Sequence, residues 1–107
     1  MNESAMSDSA GNRDRAAVEK GVHSLRVCVL NEQGLHARPA ARLAQEAQKF
    51  PCDVRLAGNE AEVDAKSILD ILTLAAGQGS NLELRASGPE ADSALEYLAG
   101  LFKNRFR

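Results

Sequence analysis

Aromatic side chains are scarce in this chain: one tyrosine, three phenylalanines and no tryptophan, 4% of 107 residues. A strand surface that stacks RNA bases needs such rings, and no basic patch stands out, so nucleic-acid binding is disfavoured. One-sided charge is missing as well. The 13 basic and 15 acidic side chains leave a formal net charge of -2, too little for a global field that would draw nucleic acid or an anionic membrane, and recognition must be local. No apolar run is long enough to cross a bilayer, and the N-terminus lacks the basic start and apolar stretch of a secretory signal, so a cytoplasmic protein without membrane insertion is expected. The two cysteines, Cys28 and Cys52, have no C-x-x-C spacing and no histidine cluster beside them. Unpaired thiols in a reducing compartment are the expectation, with neither redox work nor a metal site. A glycine-rich phosphate cradle with its lysine is absent, as is a glycine-flanked nucleophilic serine with a second histidine to serve it.

What is present suffices for one small domain, since 44% of the residues are hydrophobic and a chain of this length can build a single modest core. Residues 1 to 23, "MNESAMSDSAGNRDRAAVEKGVH", are polar and aperiodic, which predicts a disordered tail with His23 as a solvated side chain at its edge. The folded domain is expected over 24–107. From Leu25 to Leu30 apolar residues alternate as in a strand with one buried face. "NEQG" reads as a turn, and Ala40, Leu43, Ala44, Ala47 and Phe50 then fall near helical spacing. Pro39 is tolerable in the first turn of that helix, where amides have no intrahelical partner. Val54 and Leu56, then Ala61 and Val63, flank a Gly58-Asn59 reversal and predict a hairpin. A short second helix follows, with Ser67 as N-cap, Asp70 in the first turn and Gly77 as the stop. "NLELRAS" alternates as a fourth strand, and Ala91, Ala94, Leu95, Leu98, Leu101 and Phe102 trace a last helical stripe that Pro89 opens. Four strands with one apolar face each, and three helices with one stripe each, make an α+β fold: one sheet with its helices on a single face.

The chemistry concentrates at "QGLHARPAARL", residues 33 to 43. His36 stands at the mouth of the first helix, where unpaired amides and the positive end of the peptide dipoles attract anions, phosphate in particular. The amides of Ala37 and Arg38 and the planar guanidinium of Arg38 could all reach a phosphoryl group on the imidazole. Gly34 would let the chain swing sharply into the helix. The plainer alternative is that His36 is an ordinary cap-region side chain and Arg38 ordinary surface composition. The second helix crowds Ile68, Leu69, Ile71, Leu72, Leu74 and Ala75 into a short span. That surface exceeds what one inward stripe needs, so either part of it faces a partner or both sides are buried.

"GLHARPA", followed by "VDAKSILDILTLAAGQG" and "LELRASGPEADSALEYL", resembles the histidine-containing phosphocarrier (HPr) family of the bacterial phosphoenolpyruvate-dependent phosphotransferase system. The resemblance covers residues 24 to about 102. It implies an open-faced two-layer sandwich, with a four-stranded antiparallel sheet in the order 1-4-2-3 and three helices on one side. It also implies that His36 takes a phosphoryl group on Nδ1 from enzyme I and passes it to a histidine of an enzyme IIA, with Arg38 stabilising the phosphate and with no cofactor or metal. Such a protein is a carrier rather than a turnover enzyme, and a monomer is expected. By the same resemblance Ser67 is a regulatory phosphorylation site for HPr kinase/phosphorylase, beside its reading as a plain N-cap. The partner surface carried over comprises Leu35, Ala37, Ile68, Leu69 and Leu72. Ala41 and Asp70 depart from common family choices, and the ending "LFKNRFR" is somewhat like the nitrogen-related regulatory paralogues, which use the same chemistry outside sugar uptake. A module that binds an anion at the helix mouth without covalent chemistry is the alternative of a different class.

Overall fold

In the computed structural model, which describes residues 21–107, the elements run β1 (Val22–Cys28), α1 (Ala37–Ala47), β2 (Asp53–Ala57), β3 (Glu62–Asp64), α2 (Ile68–Thr73), β4 (Asn81–Ser87) and α3 (Ala91–Lys103). The four strands form one antiparallel sheet in the order β1-β4-β2-β3, and the three helices cover one face of it. Each strand reached by a helical crossover therefore lies beside a non-consecutive neighbour. Among the described residues only β2 and β3 form a hairpin, closed by the Gly58 amide donating to the Ala61 carbonyl at 2.8 Å.

The alternation in β4 places Leu82, Leu84 and Ala86 on the covered face. Val54 and Leu56 of β2 join them, and Leu43, Leu95, Leu98 and Phe102 close the core from the helices. On the open face Arg55 stands opposite Arg85, a like-charge pairing that would destabilise the sheet. Asp53 at 3.1 Å from Arg55, and Glu83 and Glu62 at 2.7 and 2.6 Å from Arg85, neutralise it.

Four sequence expectations are corrected. The polar tail expected over 1–23 lies outside the described residues up to residue 20, but Val22 and His23 belong to β1, paired with Ser87 and Ala86. His23 is also not an isolated solvated side chain: its Nδ1 lies 2.9 Å from Asp92 Oδ1 at the start of α3. The second helix stops before Gly77. Leu74 caps it and Ala75 turns left-handed at φ +50, its amide donating to Leu72. Pro89 likewise precedes the last helix, whose N-cap is Glu90 at φ +64. Both cysteines are free thiols, Cys52 buried and Cys28 half-buried, and burial pushes the Cys52 thiol up from its ordinary range.

Candidate functional site

The chain leaves β1 through a tight turn in which the Gly34 amide donates to Asn31. Gly34 takes φ +73, and a Cβ there would lie 2.3 Å from the Ala76 carbonyl oxygen. Only glycine meets both the left-handed conformation and that close approach. The next residue uses the same oxygen: the Leu35 amide donates to Ala76 at 2.9 Å. The entry to α1 is thus pinned to the exit of α2 before the helix begins.

His36 is the N-cap of α1, in extended conformation with no side-chain cap bond, and its carbonyl accepts the first helical bond from Ala40 at 2.9 Å. The imidazole is therefore not spent on capping. Of the three residues that follow, Pro39 has no amide proton, which leaves the amides of Ala37 and Arg38 at the mouth. His36, Ala37 and Arg38 are all exposed, while Pro39 and Ala40 are buried behind them. Among the described residues no carboxylate pairs with Arg38. The mouth therefore combines an exposed imidazole ring, two free donors and one unpaired guanidinium, a set that suits a tetrahedral oxyanion. Among the described residues no group of three or more His, Cys, Asp or Glu side chains is placed to hold a metal ion.

Ser67 caps α2: its hydroxyl oxygen accepts from the Asp70 amide at 3.2 Å. Its position relative to His36 follows from how α1 and α2 run. Gln48 Nε2 donates to the Lys66 carbonyl and Lys66 Nζ to the Phe50 carbonyl, each at 2.8 Å, so the end of α1 meets the start of α2. The Leu35–Ala76 bond joins the opposite ends, and the two helices are antiparallel. Ser67 is separated from His36 by the length of α1, roughly 16 Å at the usual rise per residue. Charge placed on Ser67 would act on the surface beside it rather than on the imidazole.

That surface is smaller than the sequence reading had it. Leu35 is 4% exposed and belongs to the core. Leu72 is half-buried and Ile71 fully buried. Leu69 at 76% and Ile68 at 38% exposure remain, with Ala37 exposed at the helix mouth. The second helix thus has an inward and an outward apolar side, as one of the two expectations held.

Sequence reasoning missed Glu46. It lies in the buried stripe of α1, 8% exposed, and accepts the Tyr97 hydroxyl of α3 at 2.8 Å while pairing with Lys49 at 3.0 Å and Arg42 at 3.4 Å. The Tyr97 hydrogen bond and the Lys49 ammonium hold its carboxyl below the ordinary range. The i, i+3 and i, i+4 spacing to Lys49 and Arg42 was the available signal.

Comparison with known proteins shows the family and the fold. The family described as the PTS HPr component phosphorylation site matches residues 23–104. The phosphocarrier protein HPr of Pseudomonas aeruginosa is 45% identical over 84 residues, 78% of this chain and 93% of that one. The crystal structure of an HPr from Bacillus anthracis superposes with a TM-score of 0.74 at 40% identity, covering 78% of this chain and 99% of that one. Crh of Bacillus subtilis, a catabolite repression protein crystallised as a domain-swapped dimer, gives 0.64 at 40% identity over 76% of this chain and 93% of its own.

Proposed function

This chain belongs to the HPr family of phosphocarrier proteins of the phosphotransferase system, and from that premise we propose that His36 receives a phosphoryl group from phospho-enzyme I and delivers it to a histidine of an enzyme IIA. The observation that carries the assignment to His36 is its place as an exposed N-cap that makes no cap bond, beside the free amides of Ala37 and Arg38 and the Arg38 guanidinium.

In the forward step the lone pair of His36 Nδ1 forms a bond to phosphorus while the bond from phosphorus to the donor atom of enzyme I breaks, its electron pair leaving with the donor. The second step repeats this with Nδ1 as leaving group. Imidazole suits a relay because the resulting phosphoramidate stays transferable, whereas a serine ester would be too stable to pass onward. Transfer needs alignment and charge neutralisation more than covalent machinery. The helix mouth supplies fixed donors, and Arg38 supplies a mobile charge.

Ile68, Leu69 and Ala37, with the half-buried Leu72, serve as the docking surface for enzyme I and enzyme IIA. Ser67 is a regulatory site for HPr kinase/phosphorylase: a phosphate there would sit beside Ile68 and Leu69 and weaken docking to acidic or apolar partner surfaces. The protein works as a monomer in the cytoplasm.

Phosphorus NMR after incubation with phosphoenolpyruvate and catalytic enzyme I tests this reading. An acid-labile phosphoramidate resonance is expected in the wild type and absent in His36→Ala. Label on His36→Ala removes His36 from the account, and reversible phosphate binding without a covalent product would assign the mouth to anion binding alone.

A further inference from the structure

The residues after α3 fold back on the site. Asn104 caps the helix, and then Arg105 at φ +56 and Phe106 at φ +60 are left-handed in succession, a conformation that non-glycine residues seldom adopt and that needs support from their surroundings. Three contacts supply it. The Phe106 amide donates to the Leu101 carbonyl at 2.7 Å and its ring meets Phe102 edge-on, with centroids 4.9 Å apart. Asn31 Nδ2, from the loop that leads into His36, donates to the Arg105 carbonyl at 3.0 Å.

The hook thereby places both arginines on the wall of an open concavity that His36 also lines, together with Asn31, Gln78 and Glu32. Glu32 is the one carboxylate side chain on that wall, against two guanidinium groups. Among the described residues neither Arg105 nor Arg107 has an ion-pair partner. Asn31 Oδ1 is buried there without a donor.

We propose that Arg105 and Arg107 form a second cationic arm of the phosphoryl site, which together with Arg38 stabilises the phosphoryl dianion on His36. The proposal rests on the reading of His36 as the phosphorylated residue. The hook is held by backbone atoms, by the Asn31 side chain and by the Phe106 ring, so the guanidinium groups can be neutralised while its supports stay in place. Charge delivered this way stabilises the phosphorylated form more than the free one, and so shifts the transfer equilibrium toward the carrier.

The test measures the fraction of phosphohistidine by phosphorus NMR at a fixed ratio of phosphoenolpyruvate to pyruvate with catalytic enzyme I. Wild type is compared with the double variants Arg105→Gln/Arg107→Gln and Arg105→Lys/Arg107→Lys, and with Lys103→Gln as a charge control outside the concavity. The glutamine pair should lower the phosphorylation equilibrium constant about 3- to 10-fold at low salt, from two partly screened charge interactions. The lysine pair should restore it to within about twofold, Lys103→Gln should leave it unchanged, and added salt should shrink the difference. An unchanged equilibrium in the glutamine pair overturns the proposal. So does an unchanged equilibrium with slower transfer from enzyme I, which would assign the arm to partner docking. If the wild type itself forms no phosphohistidine with enzyme I shown to be active, the reading of His36 fails and the arm falls with it, an outcome distinct from a normal wild-type signal that the arginines do not affect.

Discussion

Replacing Gly34 with alanine should damage this protein out of proportion to the single methyl group added. Two separate costs apply at that position. Gly34 holds φ +73, and an L-residue in the left-handed region costs about 1–2 kcal/mol. The new Cβ would also lie 2.3 Å from the Ala76 carbonyl oxygen and 2.8 Å from Gly77 Cα. Both are backbone atoms that cannot rotate away, and forcing packed elements apart adds about 1–3 kcal/mol. The sum is about 2–5 kcal/mol, and at about 4–8 °C per kcal/mol for a domain of this size the midpoint of thermal unfolding should fall by about 8–40 °C. Gly79 provides the control, because it is left-handed at φ +88 but a Cβ there meets no atom within 4 Å. Gly79→Ala should incur only the backbone cost, about 1–2 kcal/mol. Urea unfolding of the two variants and the wild type then isolates the close approach as the difference between them. A Gly34→Ala protein within about 0.5 kcal/mol of Gly79→Ala would refute the reasoning. Because the displaced oxygen also accepts the Leu35 amide, the folded fraction of Gly34→Ala should take up phosphate on His36 more slowly, with the mouth no longer pinned.

Glu46 makes stability depend on acid. Its folded pKa lies below the unfolded value, so its contribution is complete above about pH 4.3 and is lost as pH falls through the lower folded value. The urea midpoint of the wild type should therefore fall more steeply below about pH 4.3 than that of Glu46→Gln, and parallel curves would remove Glu46 as the cause. Ser67→Ala should cost about 1 kcal/mol through the lost cap to the Asp70 amide, and should abolish labelling by HPr kinase with ATP; equal labelling would place the regulatory phosphate elsewhere. Leu69→Glu, at a side chain 76% exposed, should leave unfolding within about 0.5 kcal/mol of wild type while weakening association with enzyme I about 5- to 10-fold by calorimetry. Unaltered association would move the docking surface off α2.

The family resemblance was legible in short, ordered motifs, and so was the location of the candidate chemistry, because a histidine before an Ala-Arg-Pro helix start is a local arrangement. Local periodicity likewise identified the strands around Leu84 and Leu56 and the stripe of α3, since the alternation of side chains along one element is a property of that element alone. The limits of those elements were less accessible. Val22 and His23 look polar and aperiodic until β4 offers Ser87 and Ala86 as partners, and Pro89 and Gly77 are sound helix signals that Glu90 and Ala75 pre-empted by turning left-handed.

The sequence by itself determined the number and kind of elements, the glycine that the turn at residue 34 requires, and the donor set at the helix mouth. Tertiary structure alone decided which apolar side chains are available to a partner. Leu35 and Leu69 are chemically alike, yet one lies in the core and the other in solvent. It also decided that α1 and α2 run antiparallel, with Ser67 a helix length from His36, that a glutamate in the α1 stripe is buried against Tyr97, and that the last residues bring Arg105 and Arg107 to the concavity beside the imidazole. The physical reason is common to all of these. Burial and proximity depend on the second element as much as on the first, and the direction in which two elements pack is not written in the period of either.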